Sequence, residues 1–162
     1  IPGYNEGVPG LATDFPGFVS ALDAVIRKTG YRRRVAFGTS AGGLPALLAA
    51  VYLHFDRGVS VGSAAFNPVL WKDVLDDPKF REAISDGRGR PELLGVFSDL
   101  NERDRDAATD LGKRLPLVLC PVHERGHNTL LNLLRSQRLA MFLSLTLMSE
   151  WSEGRPRINP GS

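Results

Sequence analysis

The sequence has very little cysteine, and this scarcity narrows the classes of protein that fit it. Cys120 is the single cysteine among 162 residues, so no disulfide can form within this sequence. That excludes a fold stabilised by internal disulfides, as is usual in small secreted domains. One lone cysteine fits a protein kept in a reducing compartment, and we therefore expect a cytoplasmic protein.

Long apolar runs, a strong net charge and ligand-rich motifs are also missing. No window of about 18 apolar residues occurs, which argues against a membrane span. The formal net charge of +2 is too small to indicate nucleic acid or a membrane surface as a partner. The densest basic run, residues 32–34, is interpreted as a solvated loop. No glycine-rich phosphate loop and no Cys/His cluster with metal-ligand spacing is present, so we expect no cofactor and no metal.

The sequence does contain short apolar segments that alternate with helical patterns, in an ordinary globular composition. Hydrophobic residues make up 43% of the chain and charged residues 23%. Apolar strands are predicted at residues 35–37, 59–66, 93–97 and 117–122. Helices are predicted at residues 18–26, 42–54, 107–115 and 128–148. This alternation predicts an α/β fold, a three-layer sandwich with a mostly parallel sheet.

One domain is expected over residues 1–151, followed by a Pro/Gly/Arg-rich tail at 152–162 that is predicted to be disordered. The chain opens without a methionine, and we expect it to be a fragment of a longer protein. Residues 69–91 are interpreted as a possible lid or insertion. Its large apolar residues are Trp71, Phe80 and Ile84. They either line a substrate pocket or pack a short helix onto the body of the domain.

The segment with the clearest chemical content is Gly38-Thr39-Ser40-Ala41-Gly42-Gly43, between a predicted strand and an Ala/Leu-rich helix. A G-x-S-x-G turn in that setting exposes the serine hydroxyl at the carboxyl end of the strand. The glycines let the backbone turn sharply and let helix and strand pack closely. A serine hydroxyl is a poor nucleophile near neutral pH, so it needs an adjacent base that is oriented by a carboxylate.

Two histidines follow the last predicted strand and are the candidates for that base. His127 lies farther along the loop, directly after a glycine, and is the preferred one. His123 is the rival, but it comes straight off the strand and is less free to reach Ser40. The alternative interpretation of His127 is a loop histidine that happens to lie near a helix start.

Ser40, an acidic loop and His127 follow successive predicted strands, and this Ser…Asp…His order is that of the α/β-hydrolases. The chain resembles the C-terminal two thirds of that fold, with the N-terminal strands missing. The resemblance rests on residues 38–43 and on Gly126-His127-Asn128. It implies a serine hydrolase of the esterase or thioesterase kind, with a small-molecule ester or acyl substrate and an acyl-enzyme intermediate.

The resemblance places the acid shortly after a strand and before a helix, within residues 98–106. Asp104 is preferred, because the N-x-x-D-x-x-A pattern around it is similar to that of bacterial Ser-Gly-Gly hydrolases. Asp99 is a close second. Asp106 is interpreted as the N-cap of the following helix, and the same role remains open for Asp104.

The resemblance also implies an oxyanion hole whose first donor is the backbone N–H of Ala41. The second donor of the family lies in a region that this sequence does not contain, and the loop at residues 3–10 is not assigned that role. Two alternatives remain. One is a non-catalytic α/β-hydrolase-like binding domain of a larger protein, and the other is an acyltransferase with the same triad. The sequence does not indicate an oligomeric state.

Overall fold

Four parallel strands form the centre of the protein in the computed structural model, which describes residues 8–62, 71–85 and 91–149. The strands are β1 Val35–Thr39, β2 Arg57–Val61, β3 Glu92–Ser98 and β4 Leu117–Val122. They pair in the order β1-β2-β3-β4, so each strand lies beside the next one in the chain. The predicted α/β class is confirmed.

Helices connect and follow these strands. The described helices are α1 Phe15–Ile26, α2 Gly43–Tyr52, α3 Lys72–Asp76, α4 Pro78–Ser85, α5 Glu102–Gly112, α6 Thr129–Arg135 and α7 Leu139–Leu143. A 3-10 turn, Ser40–Gly42, joins β1 to α2, and a π-helical turn, Ser144–Met148, follows α7. None of the described helices has the length and apolar character needed to cross a bilayer.

The core has two halves, one on each face of the sheet. Neighbouring residues of a strand point to opposite faces, and on β3 Leu93 joins one hydrophobic cluster while Leu94 joins the other. The first cluster also takes in the buried faces of α1, α2 and α5, and the second includes residues of α6 and α7. Every residue of β2 is buried, as expected for a strand with neighbours on both sides and helices above and below.

The strand predicted at residues 59–66 is shifted toward the amino end in the structure. It begins at Arg57, whose guanidinium donates to Glu92 of β3 at 2.7 Å and is only 2% exposed. It ends at Val61, because Gly62 takes a left-handed φ of +63° that interrupts the extended backbone. Residues 63–66 of the predicted strand lie outside the described part of the chain.

The prediction of a single long helix at residues 128–148 is wrong. The structure ends α6 at Arg135, because Gln137 adopts a left-handed φ of 58°. The amide of Gln137 donates to Leu134 O at 3.0 Å, and that of Arg138 to Leu133 O at 2.8 Å. These two bonds are the Schellman pattern that satisfies the last carbonyls of a helix. A glycine usually marks this pattern, and here glutamine occupies the position.

The region predicted as a lid packs onto the body where it is described. Trp71 and Phe80 are buried in the first hydrophobic cluster, where the Trp71 ring meets Phe15 at 5.4 Å and the Phe80 ring meets Tyr52 at 5.6 Å. Ile84 is partly buried against the same cluster. These contacts fit the packing interpretation of the three side chains.

Part of the basic run is also structural. The guanidinium of Arg33 donates to the carbonyls of Met148 and Ser149, at 2.7 and 2.8 Å. It therefore caps the carbonyl end of the π-helical turn, where a cation is favoured. Arg33 stays exposed, as predicted for the run, and makes this contact in addition.

Candidate active site

Ser40 lies directly after β1, at the point where the strand turns into α2. Its φ is 49°, in the left-handed region that residues other than glycine rarely adopt. Gly38 makes the turn possible, because a Cβ on it would lie 2.0 Å from the carbonyl oxygen of Gly42. The glycine thus allows the close approach of strand and turn, while the backbone strain falls on the serine. Strain of this kind concentrates at functional sites.

Ser40, His127 and Asp104 form a hydrogen-bonded series. The Ser40 Oγ to His127 Nε2 distance is 3.0 Å, and His127 Nδ1 lies 2.8 Å from Asp104 Oδ1. An ionised carboxylate only accepts, so the pairing with Asp104 assigns the imidazole proton to Nδ1. Nε2 is then the acceptor that faces the serine hydroxyl. This is the arrangement in which an imidazole can remove the serine proton.

Asp104 reaches His127 from the first turn of α5, not from a loop ahead of the helix. The helix begins at Glu102, and its N-cap is Asn101, whose Oδ1 accepts from the Asp104 amide at 3.2 Å. The prediction that Asp106 caps this helix is therefore wrong, since Asp106 lies inside α5. Asn101 performs the capping, so the carboxylate of Asp104 is left to bond the imidazole.

The rival residues are brought together as a second pair. His123 Nδ1 lies 3.2 Å from Asp99 Oδ2, and both side chains are at least one third exposed. Asp99, the alternative acid, therefore contacts the alternative histidine and not His127. The described geometry joins Asp104 to the histidine that faces Ser40.

A small cavity opens where Ser40 and His127 meet. Its volume is about 240 Å³, and its lining residues are Thr39, Ser40, Val61, His127, Asn128, Thr129 and Leu130. Typical ligand pockets begin near 300 Å³, so this space suits a small group. Trp71, Phe80 and Ile84 are not among the residues that line it. Ala41, the expected oxyanion donor, is exposed in the turn that starts at Ser40. Backbone N–H groups at the start of a helix have no acceptor within the helix.

Sequence reasoning missed the residues that contact the histidine loop. A Cβ on Gly62 would lie 3.0 Å from His127 O and 3.6 Å from its ring, so this glycine is the floor beneath the histidine. Ser98 and Thr129 bond the loop from the ends of β3 and α6. For Gly62 the available signal was a glycine inside the strand predicted at residues 59–66, which suggests a break or a close backbone approach. The two hydroxyls had no such signal, because their partners are distant in the sequence.

The single cysteine is buried and does not serve as a second nucleophile. Burial raises the pKa of the Cys120 thiol to about 11, so it stays protonated and unreactive near neutral pH. Across the described ranges, no group of three or more His, Cys, Asp or Glu side chains is arranged to hold a metal ion.

No family model, curated protein or solved structure matches the chain. The proposals below therefore depend on the geometry of the described residues.

Proposed function

We propose that this protein is a serine hydrolase of the α/β-hydrolase type that cleaves an ester or thioester. The observation that carries the proposal is the Ser40–His127–Asp104 series, with its two contacts of 3.0 and 2.8 Å at the carboxyl ends of parallel strands. The left-handed φ of Ser40 supports it, because a nucleophile elbow requires that strained turn. A fold alone carries no such argument, since α/β sheets host many chemistries.

In the proposed reaction, Ser40 Oγ attacks the acyl carbon while His127 Nε2 takes its proton. The carboxylate of Asp104 stabilises the imidazolium that forms, through the Nδ1–H bond. Collapse of the tetrahedral intermediate breaks the bond to the leaving alkoxide or thiolate, which receives the proton from His127. A water then repeats the sequence with His127 as base, which releases the carboxylic acid and restores Ser40.

Stabilisation of the developing oxyanion is the part of the reaction for which the described residues supply the fewest hydrogen-bond donors. The backbone N–H of Ala41 is the donor proposed for it, since it directly follows the nucleophile. Loss of one donor of a pair costs about 10²–10³ in turnover. Because one donor has that weight, the acylation of Ser40 is measured separately from multiple turnover cycles.

The small cavity at Ser40 argues for a short acyl group. A volume of about 240 Å³ lies below the range of typical ligand pockets, which favours an acetyl or butyryl group over a bulky acyl group. An acyltransferase would use the same three residues and differ only in the acceptor that attacks the acyl-enzyme. Product analysis with a competing alcohol or amine separates the two, because hydrolysis yields only the free acid.

A fluorophosphonate probe tests the proposal directly, because it reacts with activated serines. The wild-type protein should be labelled, with the adduct located on Ser40 by peptide mass spectrometry. Ser40→Ala should abolish labelling, whereas Ser20→Ala, a change at an exposed serine on α1, should leave it unchanged. Equal labelling of the wild type and Ser40→Ala, or no labelling of either, would contradict the proposal.

A second candidate function is a binding domain without catalysis, and one observation favours it. A groove of about 630 Å³ lies along β1 between α1 and α2, lined mainly by apolar side chains. Among the described residues β1 pairs only with β2, so its other edge would accept main-chain bonds from an extended polypeptide strand. Labelling of Ser40 together with ester turnover would argue against this candidate.

A further inference from the structure

The loop that carries His127 has to cross the sheet to reach Ser40. Ser40 follows β1 and the loop follows β4, and these strands lie at opposite edges of the described sheet. Three strand spacings amount to roughly 14 Å. The five residues 123–127 span at most about 17 Å when fully extended. The loop therefore has little slack, and the position of the imidazole depends on what holds the loop over β3 and β2.

Two buried hydroxyls hold the loop where it passes β3. Ser98, the last residue of β3, has no exposed surface, and Thr129, at the start of α6, is 1% exposed. Ser98 Oγ donates to the carbonyl of Gly126 at 2.6 Å, and Thr129 Oγ1 lies 3.0 Å from Ser98 Oγ. Because a serine hydroxyl has one proton, Thr129 must be the donor to Ser98. The hydroxyls form a directed relay from Thr129 through Ser98 to the residue before His127.

The relay contacts the chain on both sides of His127, at the residue before it and at the residue two positions after it. Gly126 precedes His127, and the Thr129 amide donates to His127 O at 3.0 Å. The earlier part of the loop is fixed elsewhere, by Glu124 on Arg138 at 3.1 Å. Asn101, shortly after β3, donates through Nδ2 to Arg125 O at a long 3.5 Å. Among the described residues, the hydroxyl relay is the contact that connects the last residue of β3 with Gly126. It acts next to the group that must stay within hydrogen-bond reach of both Ser40 and Asp104.

We infer that Ser98 and Thr129 are positioning residues for His127, which they hold between Ser40 and Asp104. The inference rests on the proposed function for its catalytic meaning, but its geometric content does not. Ser98 does not line the cavity at Ser40, so it acts on His127 through its bonds to Gly126 and Thr129. A misplacement of about 1 Å at a reacting group costs on the order of 10² in rate. Removal of the relay should therefore lower the reactivity of Ser40 by about 10- to 100-fold.

The test uses Ser98→Ala and Thr129→Val, which remove one hydroxyl each, and Thr129→Ser, which keeps it. The first readout is the proton NMR resonance of His127 Nδ1–H, assigned by its loss in His127→Gln. The second is the rate of fluorophosphonate labelling of Ser40, with folding checked by circular dichroism. We expect Ser98→Ala and Thr129→Val to broaden or lose the resonance and to label 10- to 100-fold more slowly. Thr129→Ser should restore both properties.

Folded Ser98→Ala and Thr129→Val proteins that keep the resonance and label within threefold of the wild type would overturn the inference. So would a Thr129→Ser protein as impaired as Thr129→Val, because the methyl and not the hydroxyl would then matter. If Ser98→Ala does not fold, Thr129→Val and Thr129→Ser decide the question. If the wild type is not labelled at all, the proposed function fails, and the resonance still judges the positioning role.

Discussion

The molecule contains two histidine–aspartate pairs in the same corner, and they differ in what surrounds them. Both histidines belong to the loop after β4, both acids follow β3, and both contacts use Nδ1. The His127–Asp104 distance is 2.8 Å with a carboxylate that is 0% exposed. The His123–Asp99 distance is 3.2 Å with side chains that are 66% and 33% exposed. Of the two histidines, His127 has a serine of the described residues on its other nitrogen, Ser40 at 3.0 Å.

The difference shows that residue type and chain order do not decide which histidine–aspartate pair is buried and meets a serine. A carboxylate out of water keeps its interaction with one imidazole, whereas an exposed pair competes with solvent and is worth little. A carboxylate oxygen without a hydrogen bond occurs in both acids, so this feature does not distinguish the two pairs. Asp104 Oδ2 and Asp99 Oδ1 are both buried without a hydrogen bond from the described residues. Burial of the acid and the third partner, Ser40, are the features that distinguish them.

The largest effect that would sharpen this comparison is expected from removal of each imidazole. His127→Ala should reduce kcat for p-nitrophenyl acetate by about 10⁴–10⁶, because serine attack then lacks its base. His123→Ala is the matched control and should change kcat only a few-fold. Steady-state hydrolysis measures both. A loss in His123→Ala as large as that in His127→Ala would remove the distinction between the pairs.

Conversion of the acids to amides comes next in size. Asp104→Asn should lower kcat by about 10⁴, because the amide cannot hold the imidazole in the tautomer with its proton on Nδ1. Asp99→Asn keeps the same shape change in the exposed pair and should lower kcat less than about tenfold. The pre-steady-state acylation rate with p-nitrophenyl acetate checks both. The reverse ranking would make Asp99 the acid.

A smaller effect is expected at the floor beneath His127. Gly62→Ala should lower acylation by about 10², because its Cβ would lie 3.0 Å from His127 O and push the loop away. Gly30→Ala is a matched control, since Gly30 has a similar φ of +64° but no atom within 4 Å of its Cβ.

Both glycine substitutions should cost about 1–3 kcal/mol of stability from backbone strain, as measured by urea unfolding. Only Gly62→Ala should lose activity beyond that cost. An equal loss of activity in Gly30→Ala would assign the effect to general destabilisation and not to the histidine.

The smallest effect concerns the free energy of unfolding contributed by the exposed pair. Asp99→Asn should change the stability by less than about 1 kcal/mol, because His123 is largely exposed and Asp99 one third exposed, so solvent screens their attraction. Urea unfolding at low and high salt measures this. A double-mutant cycle with His123→Ala gives the interaction free energy between His123 and Asp99. A value of 3 kcal/mol or more would contradict the expectation that this pair is weak.

Local signals predicted much of the sheet and of the turn at Ser40. Continuous apolar runs located β1, β3 and β4 closely, because a buried parallel strand needs no polar face. The runs were less informative for β2, whose start depends on the Arg57–Glu92 contact with β3. The helix break at Gln137 was missed, because glycine is the usual residue at that position. The cap at Asn101 was missed although asparagine is a favoured N-cap, because Asp106 in the same segment is an equally suitable residue type.

By itself, the sequence determined the α/β class, the strained serine turn and the set of acids and histidines near the carboxyl ends of the strands. These follow from local causes, namely apolar periodicity, glycine at 38 and the position of each loop after its strand. Tertiary structure decided which acid meets which histidine. That choice depends on the burial of Asp104 in the first turn of α5 and on the loop after β4, which is bonded to the end of β3. Both depend on contacts between segments that are far apart in the chain.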